Sequence, residues 1–239
     1  MLSETDWGAL EHAYGTAEDT PSQLVALLHD DQRTRSQAMD HLHYVVHHQG
    51  TLYEATVPAS LYVAAILPDP RTALPVDKKV SSFPGPMRRE LLGWLDSVAN
   101  AVSDEVEETM RRLGFPPENH LPFVQIRAIR PLLFPAVSAY FSDEDPHVRE
   151  AALAACIPLL EDPALMGHRE SVAPLLRAEL ATSALWQYQE RAVEALTAWG
   201  ESTADLEIRR DAFEVFNSTS EAPSTGWDSL SDYAEEPPF

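Results

Sequence analysis

Apolar side chains recur along this chain three and four residues apart, the spacing of a helix that turns one face inward. The pattern is clearest over 146–160, where Val148, Ala152, Ala155 and Leu159 share a face. Cys156 lies beside them, with Arg149 and Glu150 outside. Asp143 and Asp145 mark a turn and a helix start, and Pro146 suits a first helical turn, whose N–H groups have no intrahelical partner. The same spacing predicts helices over 20–29, 32–48, 57–67, 86–101, 123–141, 165–182 and 185–200, and an additional one over 103–113. Residues 3–13 form a short amphipathic segment carrying Trp7 and Leu10, followed by Tyr14 and ended by Gly15, that caps the first layer. A last helix, 204–216, presents Leu206, Ile208, Ala212, Phe213 and Phe216 and caps the other end.

These helices repeat in register. Arg35, Ala38 and Leu42 fall on Arg149, Ala152 and Cys156 at an offset of 114, three times 38. Met87, Arg88 and Leu91 fall on Val148, Arg149 and Ala152, while Ala192 and Ala195 fall on Ala152 and Ala155. The second helices 32–48, 86–101, 146–160 and 185–200 then pair with first helices 20–29, 57–67, 123–141 and 165–182. A pair with one apolar face cannot bury it alone, so the pairs must stack. The expected fold is all-α: a right-handed α-solenoid of about four helix pairs over 1–216, with N- and C-terminal capping helices. Trp94, Trp186 and Trp199 belong to its core, and Pro131 and Pro135 should kink the helix that holds them.

Composition adds a constraint on partners. Seventeen Lys and Arg stand against thirty-eight Asp and Glu, a formal net charge of −21. That field repels nucleic acid and anionic membrane and speeds encounter with a basic protein. No apolar run approaches the roughly 18 residues of a membrane span, and the acidic start Met1-Leu-Ser-Glu-Thr-Asp has no signal-peptide core, so the expected location is the cytoplasm. The single cysteine, Cys156, cannot form an internal disulfide, and its place on an apolar face reads as a small buried residue.

Two stretches leave the helical pattern. Residues 68–86 hold five prolines and the chain's two lysines, Lys78 and Lys79, and with Phe83 make a long loop that is a candidate contact point. The segment Gly114-Phe-Pro-Pro-Glu-Asn-His-Leu-Pro122 reads as a stiff connector, to which no chemistry is attached. Residues 217–239 are Ser- and Pro-rich and acidic, without a basic residue, the composition of a disordered tail. Within it Trp227, Leu230 and Tyr233, three apart, could fold onto a basic, apolar groove.

Catalytic patterns are sparse. Asp40, His43 and His47 fall at i, i+3 and i+7, on one face opposite Ala38, Leu42 and Val45, where a metal could sit. No His-Glu-x-x-His accompanies them, and the pattern alone assigns no metal, cofactor or catalytic residue. There is no Gly-rich phosphate loop and no Gly-x-Ser-x-Gly elbow. Aligned outward positions of the second helices instead collect carboxylates. Asp40 matches Glu194, His43 matches Asp96, His47 matches Glu161 and Glu201, and position 36 matches Glu150 and Glu190. This acidic stripe, with Trp227 and Tyr233 of the tail, is the expected partner-binding surface.

The run Trp7-x-x-Leu10-x-His12-Ala13-Tyr14-Gly15-x-Ala17-x-Asp19-x-Pro21 and the segment His48-Gln49-Gly50-Thr51-x-Tyr53-x-Ala55-Thr56 together resemble bacterial HEAT-repeat proteins, loosely grouped with phycobilin-lyase-type (PBS-lyase-type) HEAT repeats. The specific likeness covers about the first 67 residues, and the general helix-pair pattern covers the rest. Some members of the grouping look like immunity proteins that neutralise toxins. The resemblance thus implies a non-catalytic inhibitor whose acidic concave face occludes a basic partner, such as a toxin enzyme. HEAT-type hydroxylases carry repeated His-Glu dipeptides, absent here, and HEAT-like DNA glycosylases need a basic face. A cytoplasmic scaffold, or a lyase or metal enzyme using the His-rich helix, are the alternative expectations.

Overall fold

The computed structural model describes residues 2–77 and 84–208. The helical periodicity becomes helices nearly where it predicts them. Helix α1 (Thr20–Ala26) packs on α2 (Gln32–His41), and α3 (Thr56–Ile66) on α4 (Met87–Asn100). A short helix, α5 (Asp104–Arg112), intervenes before α6 (Leu121–Ser138) packs on α7 (Pro146–Leu159). Helix α8 (Arg169–Leu175) runs into a π-turn, Leu176–Leu180, that packs on α9 (Trp186–Ala198). Neighbouring pairs join like to like, α3 on α6 and α4 along α7, and α7 also meets α9.

The core follows the predicted apolar faces. Helix α4 supplies its centre, with Met87, Leu91, Leu92, Trp94, Leu95 and Val98 buried. Helix α7, packed along it, is enclosed on every side: Val148, Leu159 and all six residues from Ala151 to Cys156 are buried, and the small alanines let the two backbones approach closely. Trp94 is fully enclosed, and its indole N–H donates to the Leu42 carbonyl at 3.1 Å, fastening α4 to the end of the first pair. Trp186 and Trp199 are half-buried at the rim of the core. Cys156 is enclosed and its Sγ lies 3.0 Å from the Leu153 carbonyl, so burial pushes its thiol well above the ordinary range.

One device recurs in every pair. Arg35 and Arg149, matched by sequence register, both reach back to the turn that precedes their helix. Arg35 Nη1 donates to the carbonyls of His29 and Asp30 at 2.9 and 2.8 Å, and its Nη2 donates to Pro75 at 2.9 Å. Arg149 Nη1 donates to the carbonyls of Asp143 and Glu144 at 2.9 and 3.3 Å. Arg88 serves the longer second turn, donating to Leu67 at 3.1 Å and to Asp69 at 3.3 Å. In the fourth pair Gln189 stands at that position, and its amide donates to the Ser183 carbonyl at 2.6 Å. Each side chain satisfies backbone acceptors in the chain that connects the two helices of a pair. Asp31 and Asp145 complete two of the turns as N-caps, accepting from Thr34 and His147 N–H groups at 2.8 Å.

Two expectations are corrected, and two more fall partly outside the described residues. Residues 3–13 are no capping helix: a 3-10 turn at Trp7–Ala9 leads into a hairpin of β1 (Glu11–His12) and β2 (Gly15–Thr16). Long-range backbone bonds, Ala13 N–H to Val45 and Ala55 N–H to Glu11, each 3.1 Å, hold this segment extended. The helix expected over 32–48 ends at His41 and continues as a π-turn, Leu42–Val46. The Pro-rich 68–86 segment is ordered at its start, where Pro70–Ala73 forms a 3-10 turn, and Lys78, Lys79 and Phe83 lie outside the described residues. The last expected helix does not begin at 204: residues 204–208 form a turn and irregular chain, and 209–216 and the 217–239 tail lie outside the described residues. Pro131 and Pro135 both lie within the continuous span of α6.

Replacing Arg35 by Met should strip charged hydrogen bonds from three carbonyls and lower unfolding free energy by about 2–3 kcal/mol in urea titration. The exposed Arg33→Met should change it by less than about 0.5 kcal/mol.

Candidate partner-binding face

The sequence-predicted stripe meets a polar cavity of about 210 Å³ lined from three directions. His43 comes from the π-turn after α2, Arg89, Glu90, Gly93 and Asp96 from α4, and Gln187, Tyr188 and Arg191 from α9. Arg89 and Glu90 are buried and adjacent, with Nη1 3.2 Å from the Glu90 carboxylate. Arg89 Nη2 donates to the Tyr188 hydroxyl at 2.9 Å. Gly93 makes room for this guanidinium, since a Cβ there would lie 3.2 Å from Arg89 Nη1. At the far end Arg191 forms a two-pronged pair with Asp96, Nη2 to Oδ1 at 2.8 Å, and also donates to the Ala154 carbonyl at 3.3 Å. Asn100 Nδ2 donates to Asp96 Oδ1 at 2.8 Å. The Gln187 side-chain oxygen is buried with no hydrogen-bond partner among the described residues.

This geometry divides the predicted site residues. His43 and Asp96 line the cavity. His47 does not join them. The π-turn holds five residues in one turn, closed by the His47 N–H to the Leu42 carbonyl at 3.0 Å, and so rotates the succeeding residues away from the α-helical register. His47 is buried, its Nδ1 3.0 Å from the Thr51 carbonyl and its Nε2 3.0 Å from Ser97 Oγ, with its ring edge-on to Trp94. Because a carbonyl only accepts, Nδ1 carries the proton and Nε2 accepts from the Ser97 hydroxyl. His47 is therefore a strut between α4 and the chain after the π-turn.

The carboxylates likewise separate. Asp96 is spent on Arg191, and Glu161 on the buried Arg130 at 3.3 Å and the Asp104 N–H at 2.8 Å. Burial pushes the Glu161 carboxyl above its ordinary range. Glu150 is half-buried, 3.6 Å from His147 Nδ1, and Asp40 and Glu190 are half-buried. Glu194 and Glu201 are exposed. Trp227 and Tyr233 lie outside the described residues. Among the described residues no three of His, Cys, Asp or Glu are placed to hold a metal ion.

Arg89, Tyr188 and Arg191 are cavity residues that the sequence pattern did not single out. Arg89 occupies an outward position by register and Tyr188 lies in the first turn of the fourth second helix, so an arginine aligned with carboxylates was the available signal. No protein-family model, curated protein or solved structure matches this chain.

Burial holds the imidazoles of His41, His43 and His47 below their ordinary value of 6.5. The unfolded chain takes up protons near that pH while the folded one refuses them, so their stabilisation is complete above pH 6.5 and is lost as pH falls below it. Urea midpoints measured from pH 7.5 to 5 should fall less steeply for His47→Gln than for the native chain. Taking that difference removes the relief of carboxylate repulsion, which both share.

Proposed function

We propose that this chain is a non-catalytic cytoplasmic binding protein, a HEAT-like α-solenoid acting as an immunity- or antitoxin-like inhibitor of a basic protein. The repeated turn clamp at positions 35, 88, 149 and 189 supports the helix-pair repeat. The observation that carries the functional reading is where the cations go. Arg71, Arg88, Arg89, Arg111, Arg127, Arg130, Arg149, Arg177 and Arg191 are each engaged with a carboxylate of the chain itself. Arg35 and Arg169 are turned to backbone carbonyls. Exposed acids, among them Glu144, Glu170, Glu194 and Glu201, have no ion-pair partner among the described residues, and a chain of net charge −21 offers them to a basic surface. Occluding such a surface needs shape and charge, with no chemistry.

Capture with the tagged full chain from the cells that make it should recover a basic protein whose retention falls steeply as salt rises from 0.05 to 0.5 M, conditions chosen to span roughly a threefold change in screening length. If that protein is an enzyme, stoichiometric chain should abolish its activity. Reversing Glu194 and Glu201 to Lys should weaken binding about tenfold, chiefly in the association rate. Salt-independent capture, or a captured enzyme left fully active, overturns the inhibitor reading.

A further inference from the structure

The chain carries a second surface of opposite character, built by α5 and the segment after it. On α5, Val106, Met110 and Leu113 fall four and three residues apart and so share one face, while the other face is tied up in charge pairs. Glu107 pairs with Arg111 and with Arg127 of α6, and Asp104 also pairs with Arg127. The helix stops at Gly114, whose φ of +81° is left-handed. Its N–H bonds the Arg111 carbonyl at 3.1 Å, and the next N–H, of Phe115, bonds Met110 at 2.9 Å. That double closure turns Phe115 back alongside the apolar face. Pro116 and Pro117 stiffen the return, which ends at His120, where the ring accepts from the Phe123 N–H at 3.3 Å and caps α6.

Between helix and return lies a groove of about 730 Å³, with Val106, Met110, Leu113, Phe115 and Pro116 as its apolar walls. Leu113 and Phe115 remain 64% and 65% exposed, and no residue of α5 is fully buried. Val106 and Met110 pack on the core from one side while Leu113 and Phe115 stand open to water, and the volume lies within the range of about 300–1,000 Å³ usual for binding clefts. Its charged fringe selects the occupant. Glu105 lines the groove and Glu108 stands one turn further along α5; both are exposed and neither has an ion-pair partner among the described residues, while Arg112 is turned to the Thr109 hydroxyl at 3.4 Å. A second copy of this acidic chain would be repelled there, as would the residues 217–239, which carry no basic side chain.

We infer that this groove docks an amphipathic helix of a partner protein, inserting apolar side chains between Met110 and Phe115 and setting Lys or Arg against Glu105 and Glu108. This rests on the reading that the partner is a basic protein, and it places a main anchor away from the polar cavity. Helix-in-groove docking with apolar residues at i, i+3 and i+7 fits such walls.

The full chain should be titrated, by fluorescence anisotropy at 0.15 M salt, with a labelled Leu/Lys peptide patterned as an amphipathic helix and with its scrambled isomer of equal charge. The patterned peptide should bind at least tenfold more tightly. Phe115→Asp and, separately, Glu105→Lys with Glu108→Lys should each raise its Kd at least tenfold while circular dichroism and melting stay native, whereas Glu194→Lys with Glu201→Lys should leave the peptide bound. Equal binding of the scrambled isomer, or insensitivity to the groove variants, overturns the groove and leaves the basic-partner reading to its own capture test. A small apolar dye that saturates the groove and is not displaced by the peptide, or a dimer in sedimentation that Phe115→Asp dissolves, overturns it in favour of a small ligand or a second copy.

Discussion

A chain built from short helices must dispose of the carbonyls exposed at every helix end, and this one does so with side chains placed in register. Arg35, Arg88, Arg149 and Gln189 each reach back from the first turn of a second helix to the turn before it. A guanidinium can serve two or three acceptors at once, which lets one residue close a whole turn. With the turns fixed, the two helices of a pair hold a constant relation, and their apolar faces meet those of the next pair. The close run of α4 along α7, and the burial of Trp94 between α4 and the first pair, depend on that relation.

The same economy shapes the surface. Arginines used in turns, in the Asp96–Arg191 and Arg89–Glu90 pairs, and beneath Glu161 are withdrawn from solvent. In an acidic chain, internal use of scarce cations makes the exterior more uniformly negative than composition alone implies. The polar cavity and the α5 groove are then complementary regions: one is closed by the Asp96–Arg191 ion pair and the Arg89–Tyr188 hydrogen bond between α4 and α9, and the other is apolar and open, with Glu105 in its lining. Breaking a half-buried pair such as Asp96–Arg191 leaves a charge without its partner, so that cavity is held as much by the cost of opening it as by the pair itself.

Much of the scaffold was legible because periodicity and capping are local. The faces of α4 and α7, the Asp31 and Asp145 caps, and the recurrence of Arg35, Arg88 and Arg149 all derive from residue type and spacing. The candidate site was less legible. His47 fell on the expected outer face only for an uninterrupted α-helix, and one π-turn removed it. Asp96 and Glu161 read as free carboxylates because their partners, Arg191 and Arg130, stand 95 and 31 residues away. The N-terminal segment has helical spacing at Trp7 and Leu10, yet backbone bonds to Val45 and from Ala55 make it a hairpin.

By itself the sequence determined that the chain is helical, where its helices pair, which residues are apolar at helical spacing, and that its net charge is −21. These are properties of short windows and of sums. The tertiary structure decided which carboxylates are spent and which are exposed, and among the described residues it left Leu113 and Phe115 open to water at the end of α5. Both outcomes depend on which elements come to lie side by side across long stretches of chain, and residue spacing carries no record of that.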